Sequence, residues 1–196
     1  VNIETGIGNV RIASYEWDDK PSISNGNIRV KYLNCSPQSA LSSWDWSDTL
    51  FDITTGELIA IIDAELITVV RTAATSAAAT DVLAKKDSKT LAILGSGKQG
   101  KAHVQGMLAV RDIKTVYMWD LYFDAAKQAC ELMKAQYPDV EFIPCETAKE
   151  AAVNADIICT TTPGKTERPV LLGDWVKEGA HINAVGTCSA RGRELD

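Results

Sequence analysis

The stretch "LAILGSGKQGKAHVQG" (residues 91–106) constrains this chain more than any other. An apolar run ends directly in a G-x-G-x-x-G pattern, and a helix-forming segment follows at once. Each glycine has its own physical reason. Gly95 permits a tight turn, Gly97 lets the backbone approach a bound group, and Gly100 allows the helix to lie close on the strand. A strand–turn–helix of this kind belongs to a β-α-β unit of a parallel sheet, and its helix N-terminus attracts phosphate.

The rest of the C-terminal part repeats that alternation. "TLAILG", "TVYMWD", "VEFIP", "ADIICTTT" and "AHINAVG" read as strands, with "KQGKAHVQGMLAV", "DAAKQACELMKAQY" and "TAKEAAVN" as helices between them. Near-continuous apolar strands that alternate with helices predict a parallel sheet covered on both faces. Ahead of them, "AELITVVRTAATSAAATDVLAKK" is Ala-rich and helical, with two lysines placed to favour the dipole at its end. Residues 1 to about 63 differ in texture, with apolar runs at "IRVKYLN", "DTLFDI" and "ELIAIID". The last two flank "TTG" and predict a β-hairpin. The fold class is therefore α/β: a Rossmann-type parallel-sheet domain with a smaller, partial α+β domain. The expected boundaries are 1–70 for the partial domain, 71–88 for a connecting helix and 89–196 for the Rossmann domain.

The second strand ends in "VYMWD", which sets Asp120 twenty positions after Gly100. That is the spacing, about 20 residues, of an acid that bonds the hydroxyls of a ribose. No cation follows until Lys127, so nothing near Asp120 neutralises a 2′-phosphate. The pattern points to a dinucleotide, and to NAD over NADP.

Composition closes other routes. The net charge of −6 leaves no dominant basic surface for nucleic acid. Long apolar stretches such as "ELIAIIDAELITVV" are broken by acids, which argues against a membrane span, and the opening residues do not read as a charged-then-apolar leader, so no secretory signal is expected in them. The five cysteines (35, 130, 145, 159 and 188) form no C-x-x-C pair and no ligand-like spacing with the two histidines. Reduced thiols in the cytosol are expected, with no metal site.

Two cations stand in apolar surroundings. Arg71, followed by Thr72, interrupts the Ala-rich helix, either as a surface group on a long stem or as a fork for a substrate carboxylate. Lys31 lies between apolar neighbours on a strand, either as simple alternation or as a site lysine. Composition leaves both pairs of readings open.

The four blocks "ELITVVRTAATSAAATDVLA", "LAILGSGKQGKAHVQG", "ADIICTTTP" and "GDWVKEGAHINAVG" resemble, in order and spacing, the ornithine cyclodeaminase and mu-crystallin family. The likeness covers roughly residues 28–196. It implies a first domain that builds a homodimer and half the substrate pocket, with a Rossmann domain behind it. It also implies that the chain, which opens on Val1 and closes on "RGRELD", is a fragment lacking both ends. By the same resemblance, Arg71 clamps the α-carboxylate of a small amino or imino acid. Lys31 stands beside its amine or carbonyl as proton donor. Thr72, Lys98, Gln99, Thr160, Thr161 and Val185 join Gly95, Gly97, Gly100 and Asp120 around the cofactor.

Cys188 separates two chemistries. Where the cyclodeaminases of the family carry an aspartate after "NAVG", this chain has Cys188, a neutral thiol on the substrate side that cannot hold an ammonium by charge. Neither His103 nor His181 is placed to activate it, so it reads as a pocket wall. Mu-crystallin-like relatives also carry a small non-acidic residue there and reduce imines or ketimines. The resemblance therefore implies an NAD(P)-dependent oxidoreductase that transfers hydride at the α-carbon of an amino acid or its imine. A cyclodeaminase-type lyase using catalytic NAD and a non-catalytic crystallin-like cofactor binder remain as alternatives.

Overall fold

The computed structural model describes residues 28–35, 45–52, 55–63, 65–163, 169–186 and 193–196. They fall in two compact units that divide between Thr68 and Val69.

In the first unit, β1 (Ile28–Cys35), β2 (Asp45–Asp52) and β3 (Leu58–Asp63) form an antiparallel sheet in that order. The expected β2–β3 hairpin is present. Gly56 takes the left-handed φ of 75° in its turn, where a side chain would be strained. A bulge between Leu50 and Phe51 shifts the register, so Leu50 faces Ala60 and Phe51 faces Leu58.

The second unit is a five-stranded parallel sheet of β4 (Thr90–Leu94), β5 (Thr115–Trp119), β6 (Glu141–Cys145), β7 (Ile157–Thr160) and β8 (His181–Ala184). Its order is β6-β5-β4-β7-β8, so the chain reverses direction across the sheet at β4. Helices α2 (Lys98–Val110), α3 (Phe123–Gln136) and the short α4 (Ala148–Ala152) make the crossovers. Alternation along β4 divides the core in two. Leu91 and Ile93 pack with Val104, Met107 and Met133 on one face, while Ala92 and Leu94 pack with Ala151, Ile158 and Leu171 on the other. Leu91, Ile93 and Leu94 are wholly buried, and each stabilises the fold by about 1.5–3 kcal/mol.

Helix α1 (Glu65–Leu83) begins ahead of the unit boundary, and from Val69 on it belongs to the second unit. The segment read as a connector therefore packs into the sheet domain, with Ala77 and Ala84 in its core. Its alanines have a packing reason. A Cβ on Gly106 of α2 would lie 3.1 Å from the Ala73 carbonyl oxygen and 3.4 Å from the Ala77 Cβ, so only small residues let the helices approach so closely. By length and composition alone Leu66–Leu83 is apolar enough to cross a bilayer. Within the unit, however, Ser76 and Thr80 are buried and bonded to side chains from other elements.

The cationic end expected for α1 is present just past its last turn, where Lys86 Nζ donates to Asp81 O at 2.6 Å. The helix stops at Leu83, before Lys85 and Lys86, and Arg111 completes it from the end of α2. Its guanidinium donates to the carbonyls of Thr80, Asp81, Ala84 and Lys85 at 2.7–3.0 Å and to the Asp81 carboxylate at 2.9 Å. One buried fork thus braces a helix terminus, supplying the Ala84 carbonyl and adding a further donor to those of Thr80, Asp81 and Lys85.

Candidate dinucleotide site

The glycine turn sits at the carboxyl end of β4, where the strand order reverses and open α/β sheets place their ligands. Neighbouring strands grip it from both sides. The Gly95 N–H donates to Trp119 O at the end of β5 (2.8 Å). From β7, the Thr161 N–H donates to Leu94 O (2.8 Å) and the Thr161 hydroxyl to Gly95 O (2.7 Å).

The three glycines behave as their pattern predicts. Gly95 has φ 107°, and a Cβ there would stand 2.9 Å from the Thr161 carbonyl. A Cβ on Gly100 would overlap the Gly95 carbonyl oxygen and crowd Ile93 at 2.9 Å. At Gly97 nothing lies within 4 Å, so the turn is open on the side where a pyrophosphate would approach. The first turn of α2 holds no acid, and no side chain caps its N-terminus. Asp120 closes the far side: its Oδ2 accepts the Ser96 N–H at 2.8 Å and the Ser96 hydroxyl at 2.9 Å. Lys127, the next cation in the chain, is drawn to Asp124 (3.4 Å) and stacks 4.3 Å over the Phe123 ring. An open cradle, an unblocked helix terminus and a fixed carboxylate fit a dinucleotide with a free ribose.

Behind the turn, His103 is fully buried between α1 and α2. Its Nδ1 lies 2.8 Å from Gln99 O and must donate, which leaves Nε2 to accept the Ser76 hydroxyl at 3.0 Å. Burial holds its pKa below the ordinary 6.5, so the ring is neutral. The buried thiols of Cys130, Cys145 and Cys159 are pushed up to about 12, 11 and 12, chiefly by desolvation. They are core residues, not nucleophiles.

The structure brings Gly95, Gly97, Gly100, Asp120 and Thr161 together. Lys98 is exposed and Gln99 half-buried on the first turn of α2. Val185 is half-buried and donates its N–H to Thr160 O at 3.0 Å. Thr160 departs from expectation. It is wholly buried and its hydroxyl donates to Glu194 at 2.7 Å, so it supports the strand end. Arg71 is exposed and Thr72 half-buried on α1. The backbone of Lys31 stands opposite Thr49 in the first unit, and its side chain lies outside the described residues, as does all of Cys188. Ser96, His103 as a helix-packing residue and Glu194 escape sequence reasoning. Only the position of Ser96 inside the glycine motif offers a signal.

The sequence pattern of the ornithine cyclodeaminase/mu-crystallin family matches residues 19–196. Among curated proteins, the ketimine reductase mu-crystallin of Mus musculus is 39% identical over 167 residues, covering 85% of this chain and 51% of that protein. Among solved structures, the Delta(1)-pyrroline-2-carboxylate reductase of Thermococcus litoralis, in complex with NADH and L-proline, superposes with a TM-score of 0.75. It is 31% identical and covers 87% of this chain and 57% of its own. An archaeal alanine dehydrogenase dimer with bound NAD gives 0.73 at 26% identity, covering 89% and 57%. The chain spans about half the length of the curated relatives it matches.

Proposed function

The chain belongs to the ornithine cyclodeaminase/mu-crystallin family, and from that premise we propose that it is the cofactor unit and part of the substrate unit of an NAD(H)-dependent imine reductase. The observation that carries the reading is Asp120, fixed by Ser96 across an open glycine turn at the point where the sheet reverses. A carboxylate there accepts both hydroxyls of a ribose and repels a 2′-phosphate. Bound nicotinamide supplies hydride; the protein supplies orientation and field. Arg71 grips the α-carboxylate of the substrate as a planar fork. Lys31 donates a proton to the nitrogen being reduced. Cys188, in place of an aspartate, leaves no carboxylate at that position to hold the substrate amine of a cyclodeamination.

The reading extends to assembly and location. The dimeric archaeal relative and the half-exposed Leu58 and Ile59 on β3 support a homodimer. Three free, buried thiols suit the reducing cytosol.

The test follows nicotinamide absorbance with the full-length protein. NADH is offered with a panel of cyclic imino acids, and NAD in parallel with ornithine. Consumption of NADH on an imine is the expected result. Ammonia release from ornithine without net change in NADH would instead establish the lyase. Tight NADH binding with neither reaction would leave a cofactor-binding protein.

A further inference from the structure

Glu194 lies far from the glycine motif in sequence, yet its carboxylate is the most heavily bonded group beside the site. It is 1% exposed. Its Oε1 accepts the Thr162 N–H (2.7 Å) and the Thr162 hydroxyl (2.6 Å), and its Oε2 accepts the Thr160 hydroxyl (2.7 Å) and the Gly186 N–H (2.8 Å). Its own carbonyl is anchored by the N–H groups of Val170 and Leu171, at 2.8 and 2.9 Å. A Cβ on Gly186 would overlap the carboxylate, so that glycine is required for the fit.

These bonds are not needed to pair the strands, because β7 and β8 already run in register from Ile157–His181 to Thr160–Ala184. They act where the ladder stops. An apolar side chain in the same volume would leave these donors without their acceptor, whereas the carboxylate fixes two N–H and two O–H directions at once. With Thr160 and Thr162 held from below, the residue between them turns its hydroxyl onto Gly95 O. Glu194 thus sets the Thr160–Thr162 edge and Gly186 themselves, at the ends of β7 and β8.

The sheet order says which part of a ligand this concerns. Asp120 ends β5 on one side of β4, and the Glu194 bonds lie at β7 and β8 on the other. A dinucleotide lies across that reversal with its adenosine half on the Asp120 side. We propose that Glu194 is a positioning residue that fixes the β7–β8 edge under the nicotinamide half of the cofactor. The inference rests on the dinucleotide reading above.

Calorimetric titration of the full-length protein with NADH and with ADP-ribose, which lacks nicotinamide, tests it. In Glu194→Gln one oxygen becomes an NH2 group that cannot accept, so either the Thr162 N–H loses its acceptor or the Gly186 N–H keeps only its longer bond to Thr160 O (3.2 Å). NADH affinity is expected to fall about tenfold while ADP-ribose affinity stays within about twofold. Thr162→Val, which removes one donor and leaves the carboxylate in place, should shift the same ratio by about threefold, and it decides the matter if Glu194→Gln does not fold. Parallel loss of both ligands, or no loss of either, overturns the inference. Wild-type protein that binds neither ligand overturns the dinucleotide reading itself, which separates the two failures.

Discussion

Ser96 holds Asp120 with two hydrogen bonds to one oxygen, its N–H at 2.8 Å and its hydroxyl at 2.9 Å, across 24 residues of chain. The middle residue of the first Gly-x-Gly thus orients the acid that ends the next strand. Ser96→Ala keeps the N–H and loses the hydroxyl, so the NADH Kd should rise about threefold to tenfold. Asp120→Ala should cost more and erase the preference for NADH over NADPH. Fluorescence titration with both cofactors checks this, and an unchanged Ser96→Ala curve would show that the carboxylate needs no support.

The glycines separate folding from binding. Gly97→Ala meets no atom within 4 Å and should leave the Tm near that of the wild type while abolishing tight NADH binding. Gly100→Ala drives its methyl into the Gly95 carbonyl oxygen and should lower both. A thermal melt beside a titration distinguishes them. Equal behaviour of the two variants would contradict the geometry.

Arg111 should dominate the stability of α1. Arg111→Ala strips its donor from the buried Ala84 carbonyl and one of the two donors from that of Thr80, and should cost on the order of 3 kcal/mol in urea unfolding. Asp81→Asn removes the ion pairs with Arg111 and Lys86, whose shared acid is more than half exposed, and should change much less. If the two variants unfold alike, the helix cap is not what Arg111 contributes.

Stability should fall on acidification because of His103. Its folded pKa is depressed by burial below the ordinary 6.5, so the unfolded chain takes up its proton first. The contribution is complete above about pH 6.5 and shrinks as pH drops toward the lower folded value. Melting curves between pH 8 and pH 5 should lose much of this slope in His103→Gln, and an identical slope would assign it to other groups.

Arg71→Ala should raise the KM for the imino acid far more than the KM for NADH, with kcat less affected, because a carboxylate clamp acts on substrate binding. Equal effects on both KM values would remove the clamp from the mechanism.

Much of the second unit is legible from local pattern. The helix "KQGKAHVQGMLAV" is found without a residue's difference, because its bounds are the glycine turn and the end of its own apolar period. The strands read as 155–162 and 180–186 are shorter than expected, at Ile157–Thr160 and His181–Ala184. Thr161 and Thr162 leave the ladder to bond Gly95 and Glu194, distant partners that no local period records.

The sequence by itself determined the parallel sheet, the glycine turn and the acid at the end of the second strand. These follow from side-chain periodicity and from the conformations open to glycine, which act over a few residues. Tertiary structure alone decided what holds that turn in place. Ser96 on Asp120, Arg111 on the end of α1, His103 on Ser76 and Glu194 beneath the β7–β8 edge each join groups 24 to 34 residues apart, or 8 in the case of Gly186. Such partners meet only once the crossovers have stacked the strands, because a hydrogen bond acts over about 3 Å of space, whatever the distance along the chain.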